Sequence, residues 1–100
     1  PGAGVWDFLA ADGYAEQADW SPSNIFDASV AFCEAHGVRW AVAETGIDVN
    51  VPASARASWI DACQAYAVNH DPEFWCYWDG SFSTFWLNTE AEFKAVVFHP

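Results

Sequence analysis

The sequence predicts an α/β fold of three consecutive βα units with parallel strands. Three short apolar runs, Val5 to Ala11, Val38 to Val42 and Phe74 to Trp78, read as strands. Two longer segments between them carry apolar residues at helical spacing. The runs close on carboxylates, Asp12, Glu44 and Asp79, which are 32 and 35 residues apart. A (β/α)8 barrel of about 250 residues allots roughly 31 residues to each strand-plus-helix unit. The three units do not resemble one another in sequence, so the repeat is one of architecture only.

Each element has its own justification. Gly2 to Gly4 lead into the first strand, and Asp12-Gly13-Tyr14 is expected to open a loop reaching Trp20. Ser21-Pro22 reads as a helix start, a capping hydroxyl followed by proline at the first helical position. Phe26, Val30 and Cys33 then share one helix face, and Gly37 stops the helix. The run Val38 to Val42 lies between Gly37 and Gly46 and is apolar throughout, as a parallel strand covered on both faces would be. The polar stretch Thr45 to Ala53 is expected to be a loop. Ser54 is expected to cap a second helix, with Trp59, Cys63, Tyr66 and His70 on one face and Pro72 ending it. Phe74 to Trp78 forms the third strand, and Gly80 to Leu87 a loop rich in Ser, Phe and Trp. Thr89-Glu-Ala-Glu92 fits a capping box before a last helix with Phe93, Val96 and Val97 on one face. Parallel crossovers of this length should be right-handed.

Composition narrows the function classes. Residues 1–100 form a single segment with no linker, 53% hydrophobic and with seven tryptophans, which excludes a disordered chain. The net charge is −11, and Arg39, Arg56 and Lys94 are the basic residues. Nucleic-acid backbones and anionic membranes need clustered cations, so neither is an expected partner. Uncharged partners such as glycans fit. No apolar run approaches the roughly 18 residues of a membrane span. No leader pattern is read at the start, and the absence of an initial methionine before Pro1 fits a processed protein or an excerpt. Cys33, Cys63 and Cys76 are read as buried free thiols, with one disulfide plus a free thiol as the alternative. No Cys or His spacing indicates a metal site, and no cofactor is expected. A three-stranded parallel layer leaves edges and apolar surface open, so more protein is expected to complete it, from the same chain or another subunit.

Glu44 is the leading candidate for chemistry. In α/β folds the carboxyl ends of the strands carry the reactive groups, held rigidly by the sheet and enclosed by loops. A strand-end Glu suits a glycosidase nucleophile. It equally suits a cap on the Thr45-Gly46 turn or a partner for Arg39 or Arg56. Asp12 and Asp79 each precede a glycine, a turn signal in itself, yet they stand at the same sheet edge. Tyr14, Trp20, Trp78, Phe82, Phe85 and Trp86 follow strands and could stack on the apolar faces of sugar rings or simply pack. His36, His70 and His99 suit helix C-termini or the chain end rather than catalysis. Ser81, Ser83 and Thr84 have no suitably spaced His for a triad.

Five segments together resemble a known family. Asp7 to Tyr14, Trp20-Ser-Pro22, Trp40 to Gly46, Arg56 with Trp59-Ile60, and Trp75 to Asp79 are similar to the C-terminal part of clan-A retaining (β/α)8 glycoside hydrolases, the mannanase-like enzymes. Domains of this kind occur in secreted actinobacterial proteins and phage tail proteins. The resemblance assigns nearly all of the chain to barrel units six, seven and eight, with a polysaccharide or oligosaccharide as ligand. It implies that Glu44 is the nucleophile, that Tyr14 stands beside it, and that Trp78 floors the sugar site. Asp12, Trp20, Asp79 and Trp86 complete the expected substrate contacts. The family's acid/base Glu belongs to strand four and has no counterpart in these residues. The resemblance therefore implies a hydrolase completed upstream, or alternatively a non-catalytic carbohydrate-binding or structural domain, as in a phage tail. It places the protein outside the cell or on a virion.

Overall fold

A computed structural model describes residues 7–17 and 19–77. The order is β1 (Phe8–Ala15), α1 (Pro22–His36), β2 (Arg39–Ile47), α2 (Ala53–His70) and β3 (Trp75–Tyr77). The strands form one sheet in the order β1-β2-β3, and both pairings are parallel. This is the expected mixed α/β arrangement of strand, helix, strand, helix, strand. The expected third helix and the loop before it lie outside the described residues.

Helix α1 is encoded at both ends. The Ser21 hydroxyl accepts from the Asn24 backbone N–H at 3.2 Å, and Pro22 follows at the first helical position. Gly37 closes the helix at φ 63°, a left-handed conformation that costs a glycine little. Phe26, Val30 and Cys33 are buried, as their spacing predicted. Helix α2 differs at its start. Pro52 is the cap and makes no side-chain bond, so Ser54 does not cap the helix. Proline needs no donor there, and its fixed φ leads into the first turn. At the far end Asp71 takes the left-handed position, and its N–H bonds the Ala67 carbonyl.

Both helices lie on one face of the sheet. Phe26 of α1 is the centre of the core on that face. Its ring meets Trp75 at 5.1 Å and Trp40 and Tyr66 at 6.3 Å between centroids. Polar atoms on these large side chains find partners at the periphery. The Trp40 indole donates to the His70 carbonyl and the Trp59 indole to the Trp20 carbonyl, each at 2.7 Å. The Tyr66 hydroxyl donates to Asp27 at 2.6 Å and ties α2 to α1. A second cluster joins Ala15, Ile47 and Val51 to Trp59, Ile60 and Cys63 of α2.

Several boundaries differ from expectation. β1 runs on through Asp12-Gly13-Tyr14 to Ala15, so no turn opens at Asp12. β2 continues through Glu44 to Ile47, and Thr45 and Ile47 are fully buried in place of the polar loop expected there. Of the three free thiols, Cys33 and Cys63 are buried, whereas Cys76 is exposed, contrary to its reading as a buried thiol.

Candidate functional site

The site is created by an irregularity in β2. Ala11 pairs with Val42, but the next partners are Asp12 and Glu44, so Ala43 is an extra residue in β2. Trp40 and Val42 face the helices. In an unbroken strand Glu44 would follow them into the core, because residues two apart share a face. The bulge reverses the alternation beyond Ala43. Thr45 and Ile47 then fill the core, and Glu44 emerges half-buried on the helix-free face.

Gly13 fixes the orientation of the partner strand. A Cβ on Gly13 would stand 2.3 Å from Ile25 Cγ2 and about 3 Å from the Phe26 ring, so Gly13 faces α1. Its neighbours Asp12 and Tyr14 therefore point to the opposite face. The glycine is needed for this close approach of helix to strand and not for a turn. The structure thus brings Asp12, Tyr14 and Glu44 together on one face at the C-terminal end of the strands.

Tyr14 and Glu44 are joined directly. The phenol donates to Glu44 Oε1 at 2.5 Å, a short bond with an anionic acceptor. Burial raises the Tyr14 phenol well above its ordinary range, and the bond to Glu44 and the charges of Glu44 and Asp12 raise it further. Tyr14 therefore remains a proton-bearing donor throughout the neutral range. Its hydroxyl aims one carboxylate oxygen of Glu44, and the other has no hydrogen bond among the described residues. Glu44 pairs with Tyr14 and not with Arg39 or Arg56. Arg39 lies at the other end of the strands, where it meets Glu73 at 3.1 Å.

Loops at the same edge are held by internal bonds. Asp48 accepts from the backbone and side-chain nitrogens of Asn50 at 2.8 and 2.9 Å, which shapes the turn after β2. Arg56, 4% exposed, projects from the first turn of α2 and donates to the carbonyls of Val49 and Val51. The sequence marked Arg56 as a conceivable partner of Glu44 and as part of one segment that carries the resemblance. Its work on the loop carbonyls had no signal beyond an arginine near a helix start. Trp20 stands in the β1–α1 connection, 38% exposed and anchored through its carbonyl to Trp59, and makes no ring contact with the Tyr14–Glu44 pair. Trp78, Asp79 and Trp86 lie outside the described residues.

Carboxylates dominate this edge: Asp12, Glu16, Asp19, Glu44 and Asp48. Among the described residues no group of three His, Cys, Asp or Glu side chains is gathered as a metal site would require, and no helix is long and apolar enough to cross a membrane. A shallow groove of about 300 Å³ lined by Val68, Pro72 and Phe74 opens at the opposite end of the sheet, away from the pair. The site is thus an aimed carboxylate on an open sheet face, bordered by stiff loops. Compared with family models, curated proteins and solved structures, the chain matches none.

Proposed function

We propose that this chain is part of a retaining, polysaccharide-degrading glycoside hydrolase in which Glu44 is the nucleophile. The observation that carries the reading is the Tyr14–Glu44 hydrogen bond on the helix-free face, at the C-terminal end of parallel strands. In a (β/α)8 barrel that face is the interior and that end is the active-site rim. The barrel itself is part of the proposal.

A retaining mechanism asks four things of the nucleophile: a fixed position, an ionised state, one free oxygen and a neighbouring donor. Tyr14 meets the positional demand by holding one oxygen. The other attacks the anomeric carbon as the bond to the leaving oxygen breaks, and a second carboxyl group protonates that oxygen. Water then resolves the glycosyl–Glu44 ester. The resemblance puts the second carboxyl group on an upstream strand of the same barrel.

The test is Glu44→Gln in the intact polypeptide, assayed on mannans and related β-linked polysaccharides. Turnover should fall by about 10³-fold or more, with oligosaccharide affinity kept within a few-fold. A variant that still turns over would remove Glu44 from the chemistry. A wild-type protein that binds glycans without cleaving them would instead be a carbohydrate-binding domain on the same scaffold.

A further inference from the structure

We propose that Asp12 selects the sugar by charge, so that the residue bound beside Glu44 is an uncharged hexose and its uronic acid counterpart is rejected. The inference rests on the glycosidase reading of the site and names a substrate class for it.

Asp12 and Glu44 are register partners on adjacent parallel strands, which sets their Cα atoms about 4.8 Å apart. Gly13 faces α1, so Asp12 and Tyr14 point to the helix-free face that Glu44 joins beyond the bulge. The Tyr14 phenol, raised first by burial and then by Glu44, also feels the charge of Asp12, so both carboxylates surround one hydroxyl. Their roles differ. Glu44 is half-buried and holds the Tyr14 proton. Asp12 is exposed and has no hydrogen bond or ion pair among the described residues. Its acceptor oxygens stand one strand away from the proposed nucleophile. A pyranose ring is about as wide as the strand spacing, so a sugar whose anomeric carbon meets Glu44 also reaches Asp12. A sugar hydroxyl donates to a carboxylate, whereas a uronate oxygen only accepts and is repelled.

No described cation offsets this field. Arg39 meets Glu73 at the other end of the strands, and Arg56 is engaged with the Val49 and Val51 carbonyls. The loops after β1 and β2 add Glu16, Asp19 and Asp48 and bring no lysine or arginine. Two like charges about 6 Å apart, at an effective dielectric of about 20, repel enough to change a binding constant about 100-fold.

Oligomers of β-1,4-linked mannose and mannuronate are the matched probes, because they differ only by a hydroxymethyl group against a carboxylate. Binding of each is measured by calorimetry on the intact polypeptide carrying Glu44→Gln, which keeps the Asp12 charge. The mannose oligomer should bind about 100-fold more tightly. Adding Asp12→Asn should shrink that preference to within about threefold, and adding Asp12→Glu should retain it. If Asp12→Asn abolishes the thermal transition, Asp12→Ser decides on the same terms. Equal affinity for the two oligomers overturns charge selection and leaves the glycosidase reading standing. A preference that survives Asp12→Asn overturns the role of Asp12. Binding of neither oligomer overturns the substrate class. Turnover of another glycan by the wild-type protein then keeps the glycosidase reading, and turnover of none removes both.

Discussion

The Tyr14 hydroxyl joins structure to chemistry at the level of single residues. Removing it in Tyr14→Phe leaves the ring in place and frees Glu44 to rotate. A hydrogen bond to a charged group contributes about 1.5–3 kcal/mol, so under the proposed hydrolase function kcat on a polysaccharide substrate should fall roughly 10- to 100-fold with little change in KM. The same proton gives an alkaline signature. Burial and then a bond to Asp27 raise the Tyr66 phenol, much as burial and Glu44 raise Tyr14. The unfolded chain releases phenolic protons near pH 10. The folded chain retains both, so the unfolded state binds fewer protons above that pH and stability falls. The contribution is complete below about pH 10 and is lost as pH rises through the folded values. Urea unfolding between pH 9 and 11 should show this decline, and Tyr14→Phe or Tyr66→Phe should each flatten it. Gly13 and Arg56 matter for stability. Gly13→Ala forces Ile25 and Phe26 to move and should cost about 1–3 kcal/mol by denaturant unfolding. Arg56→Ala leaves the Val49 and Val51 carbonyls without their donor in a buried setting, and about 2–4 kcal/mol should be lost.

Among the elements, the bulge in β2 is decisive. Deleting Ala43 restores regular alternation and drives Glu44 into the apolar cluster around Phe26 and Trp40. The expected outcome is a protein that no longer folds cooperatively, seen as loss of a sharp thermal transition. A sequence pattern registers apolar runs, and the run from Val38 to Val42 ends where the bulge begins. The reading therefore placed Glu44 at the close of a strand, whereas the strand continues on the other side of an added residue. Asp12-Gly13 misled in a related way. Its composition is that of a turn, but the reason for the glycine lies on helix α1, outside its local sequence: only the packing of Ile25 and Phe26 reveals it. Helix α1 was legible because Ser21, Pro22 and Gly37 each encode a local conformation. The start of α2 was not, since Pro52 caps through backbone geometry alone and Ser54 offered a more conventional signal.

Over the whole molecule, a sheet with both described helices on one face explains most of the burial pattern. The order of units and the placing of Asp12 and Glu44 at one edge followed from spacing, because parallel crossovers return each strand in the same direction, whereas Tyr14 beside Glu44 was implied by the resemblance alone. What covers the other face was not legible, because strands that read as apolar throughout do not say which chain supplies the second layer. The parallel pairing also has a kinetic consequence. Phe8 pairs with Arg39 and Ala15 with Ile47, so contacts between β1 and β2 link residues more than 30 positions apart in sequence. No described strand of this sheet has a hairpin neighbour from which to zip. Closing so long a loop precedes any ladder hydrogen bond, which slows folding relative to proteins built on local contacts. Helix α1, capped at both ends, is the element able to form first and to bring β1 and β2 together on its Phe26 face. Folding should then begin with that helix as its template, and the Gly13 contact should already exist at the rate-limiting step, so that Gly13→Ala slows folding more than it speeds unfolding.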